Sequence, residues 1–379
     1  MTIVLIGPAY PLRGGIAHYL ALLYVALKER GHQVDVLSLV KQYPKLLFPG
    51  KSQEDRSKEP LRIQSTPVLA PLNPISWIRT FWEVQKRKPD VILFKYWMPF
   101  FAPSYAIVSL LTKLFTPSAV LAICDNITPH EPRPGDRMLT WLGLRFVDHF
   151  IVQSDTVQKD LLCYVPNAHV LKVPHPIYDM FGGEHDKETA RKRLGIQARR
   201  VVLFFGYVRA YKGLDILIQA MADVVREMEV MLIVAGEFYE DREPYDRQIS
   251  ELGLEACVRI VDDYIPNEEV GWYFSAADVV VLPYLSATQS GIVQIAYALD
   301  KPVIITDVGG LPEVVLDGKT GLVVPSRDSK RLARAILRFY REGLEELLSC
   351  GVRAEKRNYS WNRMVRAIET LASSPGCLR

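Results

Sequence analysis

The sequence predicts an α/β chain of two Rossmann-like, doubly wound domains facing each other across a cleft. Three observations carry this. Short, near-continuously apolar runs rich in β-branched residues alternate with amphipathic helical patterns, as expected of a parallel sheet covered on both faces. The alternation breaks once, in a turn-rich stretch around Val173-Pro-His-Pro176 and Gly182-Gly183, and then begins again. Both halves open alike, with a strand, a glycine-bearing loop and a helix. In such sheets the ligand site lies at the carboxyl ends of the strands.

The first half offers strands at Ile3–Ile6, Val34–Leu39, Val91–Phe94, Ala119–Cys124 and Phe150–Val152. Between the first two, Ile16, Tyr19, Leu20, Leu23 and Leu27 fall on one helical stripe that Gly31 stops. The second series runs Val201–Phe205, Val230–Ala235, Val258–Val261, Val279–Leu282, Val303–Thr306 and Gly321–Val324. Helices are expected over Leu214–Val225 and Ile292–Leu299, and the region Leu332–Leu371 reads as helical throughout. The domains predicted are 1–180 and 181–354. Residues 355–379 form a helical segment expected to pack back on the N-terminal domain.

Length and composition suit this architecture. The 379 residues exceed one ordinary domain and fit two of roughly 150–200 each. A chain 49% apolar and 23% charged is globular, and a formal charge of +3 makes nucleic acid an unexpected partner. Cys124, Cys163, Cys257, Cys350 and Cys377 show no paired spacing, which reads as reduced thiols in the cytoplasm. The opening Met1-Thr-Ile-Val-Leu-Ile-Gly7 has no basic region and does not read as a signal peptide. Tyr96 to Leu111 falls short of the roughly 20 residues a membrane span needs, and Pro99 and Pro103 interrupt it.

The strongest chemical signal is Phe205-Gly-Tyr-Val-Arg-Ala-Tyr-Lys-Gly213, where a strand ends, Gly206 turns, and Arg209 and Lys212 precede a helix. A helix N-terminus is already partly positive, so each cation there costs about 0.3–1 kcal/mol. A bound anion reverses that cost, and phosphate suits both amides and arginine. The alternative is a pair of solvated loop cations. A second such place is Leu282-Pro-Tyr-Leu-Ser-Ala-Thr-Gln-Ser-Gly291, where Thr288 or Ser290 can cap the next helix. Alone it reads as an ordinary capped helix. Together the two helix starts can grip the two phosphates of a diphosphate.

These segments resemble the retaining glycosyltransferases of family 4, which have the GT-B fold. The resemblance runs from the Gly14-Gly15 loop, through Gly206, Arg209 and Lys212-Gly213, to Ala276–Pro283 and Gly309-Gly-Leu-Pro-Glu-Val-Val315. It implies a nucleoside-diphosphate sugar as donor and no cofactor or metal. It also implies retention of anomeric configuration, with the departing phosphate oxygen accepting the acceptor's proton. By the same resemblance the donor is bound by Gly206, Arg209 and Lys212, by backbone near Tyr264 and Ile265, and by Ser290, Gly291 and Ile292. The loop at Gly14 and Gly15 brings its backbone to the donor phosphate or to the acceptor, or is simply a tight turn. The acceptor, a glycan, glycolipid or small molecule, goes to the N-terminal domain.

One departure stands out. The family usually carries two glutamates flanking the second helix start, for the sugar hydroxyls and the ribose. Here Ala287 or Thr288 and Ile295 or Ala296 occupy those places. Gln289 or Gln294 can substitute, since an amide oxygen also accepts from a hydroxyl. Both equally read as cap and helix-surface residues. The arginine is displaced too, with Tyr207 standing where many relatives have it.

In the first half, Asp125 and His130 follow the strand ending at Cys124, and relatives commonly have histidine where Asp125 stands. Either can stabilise developing charge or orient the acceptor. Asp125 can also simply cap a turn, and His130 can be a surface histidine. No other charged residue of this half draws notice as a site candidate. The histidines show no metal-ligand spacing. Finally, Trp77, Ile78, Phe81 and Trp82 form a helical stripe ending in Lys86-Arg-Lys88. Core packing is the preferred reading, and peripheral contact with the inner face of a membrane the alternative.

Overall fold

The computed structural model describes all residues except 45–47, 49, 130, 132, 184 and 374–379. It divides into two compact units. One comprises residues 1–55, 60–176 and the chain from Ser360 onward, and the other Arg56–Glu59 and Ile177–Tyr359.

The first unit holds, among the described residues, a seven-stranded sheet of order β3-β2-β1-β4-β5-β6-β7. In chain order its elements are β1 (Thr2–Gly7), α1 (Gly15–Glu29), β2 (Gln33–Leu39), β3 (Thr66–Leu69), α2 (Pro74–Arg87) and β4 (Val91–Tyr96). There follow α3 (Ala102–Phe115), β5 (Ala119–Cys124), α4 (Asp136–Leu144), β6 (His149–Val152), α5 (Asp155–Tyr164) and β7 (His169–Lys172). Every pairing is parallel, β1 with β2 and β4, β5 with β4 and β6. The five expected strands are present and buried.

Two strands escaped the sequence reading, β3 and β7, and both lie at the edges of the sheet. Edge strands lack a partner on one side and need no continuous apolar run. β7 is exposed or half-buried along its whole length, and β3 contains Pro67, which an edge tolerates.

The second unit's sheet has six strands among the described residues, in the order β10-β9-β8-β11-β12-β13. Its elements begin with α6 (Lys187–Arg193), β8 (Val201–Phe205), α7 (Leu214–Glu227), β9 (Met231–Ala235), α8 (Glu243–Glu251) and β10 (Val258–Val261). They continue with α9 (Asn267–Ala276), β11 (Val279–Leu282), α10 (Gly291–Ala298), β12 (Val303–Thr306), α11 (Leu311–Val314), β13 (Gly321–Val324), α12 (Ser329–Arg341) and α13 (Glu345–Glu355). All six expected strands are found. β8, β9, β11, β12 and β13 are largely buried and read as unbroken apolar runs, whereas β10, at the sheet edge, is half-buried and carries the exposed Arg259. Apolar residues of α7 and α12 close one face of this sheet.

The C-terminal region is not one helix. Gly343, at φ +62°, ends α12, and a 3-10 turn over Lys356–Tyr359 separates α13 from α14 (Trp361–Ala372). That break returns the chain to the first unit, where α14 packs on α1. Glu369 Oε1 accepts there from Arg30 Nε at 3.2 Å and lies 3.0 Å from His32 Nε2.

Candidate functional site

The carboxyl edge of the second unit's sheet gathers most of the predicted donor residues. β8 ends at Phe205 and Gly206 turns the chain at φ +99°. A Cβ on Gly206 would stand 3.1 Å from Ile292 Cδ1 and 3.3 Å from Lys212 Nζ. The glycine therefore leaves room for a lysine head and the first turn of α10. Gly213, at φ +67°, serves differently: a Cβ there would meet the Pro283 carbonyl oxygen at 2.1 Å. The loop after β8 thus rests directly on the loop after β11, and Leu285 N donates to Tyr211 O at 2.7 Å.

Lys212 is only 8% exposed, and no carboxylate among the described residues pairs with it. Its ammonium lies 5.6 Å from the Tyr284 ring centroid. Burial, and then the charge of Arg209, push its pKa from the ordinary lysine range down to about 7. Each unit of such a shift is worth about 1.4 kcal/mol, so this cation is held at a cost to the fold. Arg209 is half-buried, with its guanidinium 5.2 Å over the Tyr239 ring. Tyr239 in turn stacks on Tyr207 at 4.4 Å, so the residue standing in the usual arginine position belongs to the stack beneath Arg209.

Ser290 is the cap of α10, its Oγ accepting from Ile292 N at 3.2 Å. Tyr284 also hydrogen-bonds Ser290, and burial raises the pKa of that phenol above its ordinary range. Of the two cap candidates, Thr288 is thus not the one, although it is buried beside it. Gln294 is 1% exposed and its Oε1 has no hydrogen-bond partner among the described residues. It is not the helix-surface residue its sequence position allowed. Gln289 also has a buried amide oxygen. Tyr264 and Ile265 leave the same sheet edge beyond β10, two strands from β8, with Tyr264 N donating to Asp263 Oδ1 at 2.9 Å.

The remaining candidates belong to the first unit. Gly14 caps α1 at φ +106°, and its carbonyl accepts from His18 N at 3.1 Å. Asp125 follows β5 as expected, but its Oδ1 accepts from Lys95 Nζ at 2.5 Å. His130 lies outside the described residues. Lys95 is a charged candidate that sequence reasoning missed, fully buried near the end of β4, its ammonium 3.2 Å from the Tyr19 ring centroid. Burial lowers its pKa, and the Asp125 charge opposes that shift.

Tyr19 connects this pair to more buried polar groups. Gln153 Nε2 donates to the Tyr19 hydroxyl at 3.0 Å, while Gln153 Oε1 has no hydrogen-bond partner among the described residues. His175 meets the Tyr19 ring edge-on at 5.0 Å, and burial, then Lys95, push its pKa down to about 3. A lysine inside the apolar run Val91-Ile-Leu-Phe-Lys-Tyr96 was the available signal, since a buried charge requires a partner.

Comparison with known proteins follows the same division. The profile described as glycosyl transferases group 1 matches residues 199–342, and that described as glycosyl transferase 4-like domain matches residues 14–175. A D-inositol 3-phosphate glycosyltransferase from Saccharomonospora viridis is 31% identical over 261 residues, 66% of this chain and 60% of the relative. One from Nocardioides is 29% identical over 238 residues, 58% of this chain and 52% of the relative. The matched part thus spans about half to three fifths of these relatives. Among solved structures, a sucrose-phosphate synthase from Thermosynechococcus elongatus superposes with TM-score 0.77 at 20% identity, covering 98% of each chain. Anabaena HepE in complex with UDP-glucose superposes with TM-score 0.75 at 18% identity, covering 98% of this chain and all of that one. Those structures share the two-domain α/β fold with this chain.

Proposed function

The chain belongs to the glycosyl transferases group 1, with the GT-B fold, and from that premise we propose that it transfers a sugar from a nucleoside-diphosphate sugar with retention of configuration. The observation that carries this is Lys212: a buried cation beside Arg209, with no carboxylate paired to the lysine among the described residues, at the start of two helices. Such a grouping is stabilised by a dianionic ligand more than by anything in the protein. The bond from the anomeric carbon to the phosphate oxygen breaks, and its electron pair leaves with the diphosphate. Arg209, Lys212 and the amides at Ser290–Ile292 stabilise that charge, a role which does not require a metal or cofactor. The acceptor hydroxyl bonds to the anomeric carbon on the same face, and its proton passes to the departing phosphate oxygen. The reading gives the acceptor to the first unit, where Asp125 is the group that steadies developing positive charge. HepE, a fold neighbour, binds UDP-glucose, which supports a uridine donor as the first to try.

A second reading is a nucleotide-sugar-binding protein without turnover. The absent glutamates favour it. Against that, the buried Gln294 Oε1 has no hydrogen-bond partner among the described residues and can take over an absent glutamate's role of accepting from a sugar or ribose hydroxyl. The test is release of free nucleoside diphosphate from a panel of nucleotide sugars, by wild type and by Lys212→Met. Release by the wild type alone supports transfer; binding of a donor without release supports the second reading.

A further inference from the structure

We propose that the outer face formed by α2, α3 and α4 docks the first unit onto an anionic lipid bilayer. The three helices lie side by side, α2 against α3 and α3 against α4. The expected stripe of α2 divides: Phe81 is buried, as is Val84, and Trp77 is half-buried, while Ile78 and Trp82 are exposed, as is Ile75. An amphipathic core helix shows polar residues on that side.

Helix α3 continues the surface. Its half-buried outward positions are Pro103, Ile107, Leu110 and Leu111, and Leu114 and Phe115 beyond them are exposed. Lys113 is its one charged residue. The Phe81 ring touches both Trp82, at 6.0 Å, and Phe115, at 5.9 Å, so the apolar surfaces of α2 and α3 are continuous. On α4, Met138 and Trp141 are exposed as well. Eight of the eleven exposed large hydrophobic side chains among the described residues lie on these helices or at Leu72 just before them. Isolated exposed hydrophobics are ordinary, whereas a contiguous face marks an interaction surface.

Charge decides the occupant. Arg79, Lys86 and Lys88 are exposed on or just after α2, and Arg137 and Arg145 on or just after α4. The acid of α2, Glu83, is bridged by both Lys86 and Arg87 and leaves the helix net positive. The Arg145 guanidinium lies 4.4 Å over the Trp141 ring. Tryptophan and aliphatic side chains fringed by arginine and lysine match the boundary between acyl chains and anionic headgroups. Among the described residues no helix is long and apolar enough to cross a membrane, so the contact is peripheral.

This proposal does not rest on the donor reading, and its test reads vesicle retention alone. The full chain is sedimented with vesicles of phosphatidylcholine, and with vesicles also containing phosphatidylglycerol. The expected result is retention on the anionic vesicles that weakens with added salt. Ile78→Asp with Trp82→Glu should lower it by at least about tenfold. Arg79→Ala and Lys86→Ala should each lower it by about fivefold on anionic vesicles only. All four positions are exposed, and circular dichroism checks that each variant folds. Absence of retention at low salt overturns the proposal, as does retention that none of the variants changes. A wild-type dimer in sedimentation velocity that Trp82→Glu dissolves also overturns it, making this an interface between copies.

Discussion

Lys95 Nζ lies 2.5 Å from Asp125 Oδ1, with the lysine wholly buried and the carboxylate nearly so. Asp125 is therefore not a lone carboxylate at a strand end. It is the counter-charge that permits a lysine inside a sheet, and any substitution there reports on folding as well as on chemistry.

Removing one member leaves an uncompensated buried charge, which costs about 3–5 kcal/mol. Asp125→Ala and Lys95→Met should each lose stability in that range in chemical denaturation. The double variant Lys95→Met/Asp125→Leu should lose much less than the sum. Additive losses would mean the pair is not coupled.

Lys212 should show opposite signs for folding and binding. Lys212→Met removes a charge held against burial and against Arg209, so the unliganded protein should gain stability. Affinity for a nucleoside diphosphate should fall by about 1.5–3 kcal/mol, as for hydrogen bonds to charged groups. Arg209→Ala should weaken binding similarly. Thermal melting and titration calorimetry decide it: unchanged affinity in both variants would place the diphosphate elsewhere.

The pH dependence follows from the same residue. The folded pKa of Lys212 is about 7, below the ordinary lysine value of 10.5. Between these values the unfolded chain binds a proton that the folded chain does not, so this group makes stability rise with pH across that window. Below pH 7 both states are protonated and the full penalty stands. A diphosphate favours the charged lysine, so its binding at pH 8 should take up close to one proton. Calorimetry in buffers of differing ionisation enthalpy measures this, and Lys212→Met should abolish it. Binding without proton uptake in the wild type would mean the lysine is charged beforehand.

The sequence and the structure agree where burial is symmetric. The central strands buried on both faces, β8, β9, β11 and β12 among them, were legible because every position must be apolar. The edges β3 and β7 were not, since nothing forces their composition. The loop after β8 drew notice as a candidate site through Arg209 and Lys212, whose charges stand against a helix dipole. What local pattern could not convey is pairing across strands: Lys95 and Asp125 are thirty residues apart, and Tyr19 and Gln153 meet only through the sheet order. The same limit concealed the outward half of α2, whose periodicity fits a core face until α3 is seen to cover one side only.

On the proposed reading Arg209 and Lys212 supply the charge that a divalent ion supplies elsewhere, which predicts metal independence. Donor binding and turnover should survive EDTA. Loss on chelation, with recovery by magnesium or manganese, would require a different account of the leaving group.

The last prediction separates enzyme from binding protein. Asp125→Asn keeps the size of the side chain and an oxygen for Lys95 while removing the negative charge, so it perturbs packing less than alanine does. If the carboxylate acts on the transition state, turnover should fall by about 10²-fold, the scale of electrostatic or acid–base contributions. Diphosphate affinity should change little, because Arg209, Lys212 and the start of α10 belong to the other unit. A parallel fall in affinity and turnover would show that Asp125 acts through the fold. Release of diphosphate by the wild type must be shown first, with product configuration read by proton NMR. Should a donor bind tightly and never be cleaved, with any acceptor or with water, then Gln294 does not make up for the absent glutamates. The chain is then a binder.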